Sequence, residues 1–152
     1  MDRKILALLQ ADGRMSMKDL AEAVGLTITP CIERVRRLER DKFILGYHAR
    51  LNPALLGAGL LVFVEISLGS KAGNMFEQFR REVLRIPEVL ECHLVSGDFD
   101  YLLKARIREI GEYRRLLGDI LLQLPGAVQS KSYVVMEEVK ETLAIAVDER
   151  QA

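Results

Sequence analysis

Between Ser16 and Arg40 the chain writes two amphipathic segments parted by a single glycine, and no other stretch constrains the fold as tightly. Ser16 followed three residues later by Asp19 has capping-box spacing, with an acid in place of the usual glutamate, and opens a helix through Leu20, Ala21 and Val24. Gly25 closes it as a left-handed residue just past a helix end should. Leu26 fills the turn, and Thr27 or Thr29 caps a further helix whose first turn admits Pro30, because early helical amides lack an intrahelical partner anyway. A shorter helix precedes both: Ile5, Leu6 and Leu9 follow Asp2, read as its N-cap, and Asp12-Gly13 ends it. Helix, short glycine-containing turn, helix is the spacing of a helix-turn-helix.

At 100° per residue the last of these helices gathers Cys31, Ile32, Val35 and Leu38 on one side. Thr29, Pro30, Glu33, Arg36, Arg37 and Arg40 gather on the other, with Arg34 at the boundary. An arginine-rich helix presented this way contacts phosphates by charge and reads guanine O6/N7 with its bidentate fork. The plain alternative is a solvated face salted by Glu33 and Glu39. The glycine turn and the charge balance favour the nucleic-acid reading. Residues 1–50 carry ten basic and seven acidic groups, a net of +3, against 12 basic and 15 acidic groups, a net of −3, in the remainder. The 152 residues as a whole are neutral, and at 49% hydrophobic they suffice for one ordinary domain or two small ones.

Cys31 and Cys92 lack the spacing of a zinc or redox site, so two reduced thiols and no metal are expected. The opening apolar turn soon meets Gln10 and Asp12, which does not make a signal peptide. Leu60 to Val64 is stopped by Glu65, far short of the roughly 20 residues of a membrane span. A soluble, cytoplasmic protein without membrane partners is expected.

Phe43 to Leu51 alternates weakly around Gly46 and suits a small wing or a strand leaving the helical domain. Asn52-Pro53, Gly57 and Gly59 then punctuate the chain. The division expected is a helix-turn-helix domain over 1–51, a linker over 52–59 and a second domain over 60–152. In that domain Leu60 to Leu68 reads as a strand, Gly69 to Gly73 as a loop, and Met75, Phe76, Phe79, Val83 and Ile86 as a helix. After Pro87, strands over Val89 to Val95 and Tyr101 to Ile107 flank Ser96-Gly97-Asp98-Phe99-Asp100, which has hairpin chemistry. A helix with Tyr113, Leu116, Leu117, Ile120 and Leu121 runs to Pro125-Gly126; Val128 to Val135 is the next strand, and Leu143 to Val147 a possible last one. The class is therefore α+β, a winged-type helix-turn-helix followed by a ferredoxin-like βαββαβ sheet with both helices on one face. So apolar a sheet leaves its other face for a second copy. Ser130, Ser132 and Val134 share one face of the last full strand near the Gly-Asp hairpin, suiting the amino and carboxylate groups of a small metabolite. By themselves, two serines in a strand are more often edge polar residues than ligands, and Asp98 and Asp100 have an equally plain turn reading.

Four runs carry a resemblance: Thr29-Pro30-Cys31-Ile32-Glu33-Arg34-Val35-Arg36-Arg37-Leu38-Glu39-Arg40, Leu61-Val62-Phe63-Val64-Glu65, Glu91 to Lys104 with its G-D-x-D-Y hairpin, and Tyr133 to Val139. Together they closely resemble the Lrp/AsnC family over nearly the whole chain. The resemblance implies a bacterial transcription regulator with an amino-acid-sensing domain and no catalytic residues. It implies sheet-mediated dimers, octamers of four dimers, effector bound where dimers meet, and a cytoplasmic, nucleoid-associated life. By position it puts DNA contacts at Thr27, Thr29, Pro30, Arg34, Arg36 and Arg37. The effector pocket falls at Gly97, Asp98, Asp100, Tyr101, Ser130, Ser132 and Val134. Leucine or methionine is the expected effector, given the serine and valine strand and the likeness to leucine-responsive members; Asp98 and Asp100 converge too little acid for a cationic ligand. No cofactor is implied.

Two departures stand out. The chain starts almost at the first helix, without the basic extension of some relatives, and Lys42 replaces the usual glycine after the recognition helix. A left-handed lysine there costs about 1–2 kcal/mol, unless the helix ends differently. Dimers are expected to place two recognition helices in successive major grooves, with avidity in the ring offsetting modest affinity per site. One rival is an architectural DNA organiser that needs no effector. Another is a tetrapyrrole decarboxylase of the same fold using His93 with Arg106 or Tyr113, although the sequence offers no paired nucleophile and base.

Overall fold

The computed structural model describes residues 1–69 and 73–147, the side chain of Ile120 excepted. The chain forms two compact units: Met1–Arg50 together with the described chain from Lys140, and Leu51–Val139.

The first unit packs three helices, α1 (Asp2–Ala11), α2 (Met17–Val24) and α3 (Ile28–Arg40), around Ile5, Leu9, Leu20, Ala21, Val24, Cys31, Val35 and Leu38. Each large side chain fully withdrawn from water there contributes about 1.5–3 kcal/mol. The Ser16 cap forms as expected: its Oγ accepts from the Asp19 amide at 3.1 Å and donates to the Asp19 carboxylate at 2.7 Å. Asp2, read as an N-cap, instead lies inside the first turn of α1, with Met1 at the cap position.

α2 and α3 end in the same hydrogen-bonded motif on different residues. Gly25 is left-handed at φ 70°, its amide donating to Glu22 and that of Leu26 to Ala21. At the end of α3, Lys42 is left-handed at φ 63°, its amide donating to Glu39 and that of Phe43 to Leu38. Lysine therefore occupies the strained position, at a cost of about 1–2 kcal/mol relative to an unstrained backbone.

Residues 43–51 form neither wing nor strand among the described residues, and neither do 143–147. The last stretch instead lies against α1: the Gln10 amide donates to the Ile145 carbonyl at 2.7 Å and accepts from its N–H at 3.0 Å. A strand needs a neighbouring backbone, and the Gln10 side chain supplies one pair of hydrogen bonds in its place.

In the second unit Asn52 receives the amides of Ala54 and Leu55 in an Asx turn, the turn chemistry read from Asn52-Pro53. The strands β1 (Leu60–Leu68), β2 (Val89–Leu94), β3 (Tyr101–Ile107) and β4 (Ala127–Val134) form one sheet in the order β2-β3-β1-β4, antiparallel throughout. This is the ferredoxin-like arrangement. Of the loop expected over Gly69 to Gly73, residues 70–72 lie outside the described residues. α4 (Met75–Val83) follows the expected pattern. The second helix does not run as one: α5 (Ile110–Arg114) passes into a π-helical stretch, Arg115–Ile120, and a 3-10 turn, Leu121–Gln123. Gly118 inside that run weakens its hold on α geometry. Val62, Val64, Ile66, Phe79, Leu103, Ala105, Leu116 and Leu121 form the core on the helix side of the sheet.

The open side is less apolar than its strands suggest. Around half-buried Phe63 and Leu102, Lys104 pairs with Glu91, Tyr133 donates to Glu65, and Arg106 grips Glu138 through two nitrogens at 3.0 and 2.6 Å.

Candidate functional site

α3 owes its exposure to the residues behind it. Cys31, Val35 and Leu38 are buried against α1 and α2, so the opposite face turns outward without further support. Thr27, at the N-cap position, Thr29, Pro30, Arg36 and Arg37 are exposed and Arg34 is half-buried. The six residues expected at DNA thus share one helix and its leading edge. Ile28, absent from that set, stands 48% exposed in the first turn, an apolar group of the kind that meets a thymine methyl. Arg36 and Glu39 border a cleft with Leu9, Gly13, Met17, Ile32 and Tyr47, whose phenol donates to Glu39 at 3.1 Å. Burial, then the Glu39 contact, raises the Tyr47 pKa, which keeps that phenol a donor.

Arg34 and Arg37 do not point into open solvent alone. Both donate to the Asp2 carboxylate, Arg34 at 2.9 Å. Burial by itself raises the Asp2 carboxyl; the Arg34 hydrogen bond and the charges of Arg37 and Arg34 outweigh it and hold the pKa below the usual carboxylate range. Asp2 is a residue of this surface that sequence reading placed elsewhere, since 32 positions separate it from Arg34 and no local pattern links them.

Of the candidate effector residues, Tyr101 and Ser130 share a row at the hairpin end of the sheet, and the others are spread from it. Ile66 of β1 is flanked by Tyr101 on β3 and Ser130 on β4, in one row on the helix side. Ser132 lies in the next row with Val64 and Leu103, and Val134 a further row away with Val62 and Ala105. Val134 packs against the core and stands apart from the others. Gly97, at φ 142°, and Asp98 are exposed at the hairpin tip.

Asp100 and Tyr101 have structural work there. Asp100 is 6% exposed and accepts the Leu68 amide at 2.8 Å, tying the hairpin to the end of β1. Tyr101 is buried and stacks on Phe79, centroids 4.1 Å apart. Phe79, Phe76 and the Leu68 amide are thus neighbours of the candidate pocket that strand alternation does not reveal. Two hydroxyls, Tyr101 Oη and Ser132 Oγ, are buried without a hydrogen-bond partner among the described residues. Burial, first of all, raises the Tyr101 pKa, so its hydroxyl stays protonated at neutral pH.

The residues imagined for a decarboxylase are not brought together. His93, across from Leu102 on the open side, contacts Glu91 at 3.1 Å, while Arg106 sits four residues further along β3 with Glu138. Tyr113 packs with the core on the helix side. Hydrogen bonds from His93 and Lys104 hold Glu91 below the ordinary glutamate range, as in a structural ion pair. Among the described residues no group of three or more His, Cys, Asp or Glu could hold a metal, and no helix is long and apolar enough to cross a membrane.

Residues 1–39 match the AsnC-type helix-turn-helix domain, and residues 61–145 the Lrp/AsnC ligand binding domain. The chain is 56% identical over 149 residues to the leucine-responsive regulatory proteins of Salmonella typhimurium and Escherichia coli strain K12, covering 98% of this chain and 91% of each of theirs. Among solved structures, a transcriptional regulator from Neisseria meningitidis in complex with L-Met superposes with a TM-score of 0.91 at 34% identity, over 97% of this chain and 95% of that one. The feast or famine regulatory protein of M. tuberculosis complexed with L-methionine gives 0.88 at 28% identity, over 97% of both chains. A helix-turn-helix with an arginine-bearing third helix, a ferredoxin-like sheet and these relatives agree: the chain belongs to the Lrp/AsnC family of amino-acid-responsive, DNA-binding transcriptional regulators.

Proposed function

We propose that this regulator grips double-stranded DNA with the outer face of α3 and answers to a small apolar amino acid, leucine or methionine, held by its second unit. The observation that carries the reading is the display of Thr27, Thr29, Pro30, Arg36 and Arg37 over a helix-turn-helix core that needs none of them for packing. Arginine and lysine charge supplies sequence-independent grip on phosphates, and base edges supply the preference. The effector reading leans on the two solved relatives with methionine and on the hydroxyls of Tyr101 and Ser132, unpartnered among the described residues, with Ser130 beside Ile66 in the row of Tyr101. Asp100 acts there by holding the hairpin in place, since its carboxylate is taken by the Leu68 amide.

The open side of the sheet pairs two copies and four such dimers form the octamer, with effector taken up where dimers meet. Effector then acts by binding one arrangement more tightly than another, because a ligand shifts an equilibrium only by its differential affinity. The protein does its work on DNA in the cytoplasm, at the nucleoid, without a cofactor and without catalysing a reaction, in keeping with relatives named as regulators.

The test is sedimentation with and without leucine or methionine, beside salt-dependent binding to DNA upstream of its own gene. A change in mass or affinity with the amino acid, and affinity that falls steeply with salt, is the expected result. DNA binding that ignores all twenty amino acids makes the second unit an assembly module and the protein an architectural binder. Binding of a porphyrin, visible as Soret absorption, points to the decarboxylase instead.

A further inference from the structure

The arginines on one flank of α3 are organised by a residue outside it. Arg34 and Arg37 lie one turn apart, where two like charges repel, yet both guanidinium groups converge on Asp2 in the first turn of α1. Arg34 Nη1 donates to Oδ1 at 2.9 Å and Arg37 Nη2 donates to Oδ2. A guanidinium has five N–H donors, and these contacts use one from each. Their side chains remain 38% and 46% exposed, and each guanidinium keeps N–H donors beyond the one it gives Asp2. Ion pairs this exposed add little to stability. What such a pair does supply is direction: a planar group fixed by a charge-assisted hydrogen bond keeps its remaining donors in one place.

We propose that Asp2 is a positioning residue for DNA recognition, which binds Arg34 and Arg37 into one oriented unit of net charge +1 so that they read base edges instead of closing on phosphates. This rests on the reading of α3 as the DNA-binding surface. A long, unrestrained arginine beside a duplex gains most by neutralising the nearest phosphate, an interaction blind to sequence. Reading guanine O6 and N7 requires the fork to arrive already aligned, and a carboxylate behind the guanidinium is what aligns it. Asp2 also removes one positive charge from the surface, which lowers the sequence-independent contribution. The depressed Asp2 pKa keeps the carboxylate ionised throughout the physiological range.

The experiment compares the full-length protein with Asp2→Asn, Arg34→Ala/Arg37→Ala and the triple variant. The probes are a duplex selected from a random pool by the wild-type protein and a scrambled duplex of equal length, each titrated at several salt concentrations. For Asp2→Asn the expected result is a fall of about tenfold in the ratio of selected to scrambled affinity. Tighter binding of scrambled DNA should accompany it, with a salt slope steeper by about one to two as freed arginines reach phosphates. Asp2→Glu, which keeps the carboxylate, should retain more of the ratio. The Arg34→Ala/Arg37→Ala protein should lose the ratio as well, and adding Asp2→Asn to it should leave that ratio unchanged, whatever its effect on absolute affinity. Selected and scrambled affinities that move together, or an unaltered salt slope, overturn the role of Asp2 while leaving α3 on the DNA. If the double arginine variant binds both duplexes as wild type does, this flank of α3 is not on the DNA and the underlying reading fails. Circular dichroism melting of each variant separates these results from loss of the fold.

Discussion

On α3 the side chains assigned to DNA stand outside a finished core, whereas at the end of the sheet Asp100, Tyr101 and Ser132 carry their polar atoms inward. The helix can lose an outward residue and keep its packing. The sheet end cannot, because Asp100 closes the hairpin against Leu68 and Tyr101 is part of the stack on Phe79. For the proposed sites, recognition and stability are separable in the first unit and entangled in the second. The difference follows from geometry: a helix resting on two others has a free half, while the helix side of a four-stranded sheet is the core itself.

The largest effect should come from the stack. Phe79→Ala removes the fully buried ring beneath Tyr101 and should destabilise the second unit by about 3–5 kcal/mol. Calorimetric unfolding should show this unit melting earlier and effector binding lost with it. An unshifted transition would remove the ground for calling Tyr101 structural.

Asp100→Ala sharpens the same point. It leaves the buried Leu68 amide without its acceptor and should cost about 1–3 kcal/mol in denaturant unfolding. Should stability hold while only amino-acid binding disappears, Asp100 is a ligand contact and the contrast between the units breaks.

On the other side of the comparison, Arg36→Ala should stay within about 0.5 kcal/mol of wild-type stability. It should nonetheless weaken DNA binding, with a salt slope shallower by about 1 if the residue meets a phosphate. Titrations at several ionic strengths read both quantities.

Lys42→Gly relieves the left-handed strain after α3 and should raise the stability of the first unit by about 0.5–1 kcal/mol, net of the extra freedom glycine has when unfolded. Gly25→Ala, at the equivalent place after α2, should do the reverse.

The smallest effect is in acid. The folded pKa of Asp2 lies below its unfolded value, so the Asp2 contribution is complete above the unfolded pKa and fades as pH falls through the folded one. Acid titration of wild type against Asp2→Asn should show the two stability curves converging at low pH, by a modest amount because the pair is exposed.

Much of this was legible from residue spacing. Ser16 with Asp19, the glycine at 25 and the Cys31, Val35, Leu38 stripe state the helix-turn-helix locally, since caps and helical faces are matters of a few neighbouring residues. β-rich runs set between turn signals likewise marked all four strands of the sheet, whereas the weak alternation over Phe43 to Leu51 did not make one. Local pattern failed where a partner was distant. Asp2 looks like an N-cap until Arg34 and Arg37 arrive from α3. Leu143 to Val147 looks like a strand but finds the Gln10 side chain instead of a backbone. The second helix, even by its periodicity, gave no hint of the π-helical stretch around Gly118.

The sequence by itself determined the three helices of the first unit, the four strands of the sheet, which helix carries the arginines, and the family, because periodicity, caps and motifs are recorded within short windows. Only the tertiary structure decided that Asp2 joins the arginines of α3, that Asp100 ties the hairpin to the Leu68 amide, and that the Tyr101 and Ser132 hydroxyls are buried without a partner among the described residues. Those are pairings between residues tens of positions apart, and hydrogen bonds and burial depend on which atoms the folded chain brings within about 3 Å of each other, whatever their separation along it.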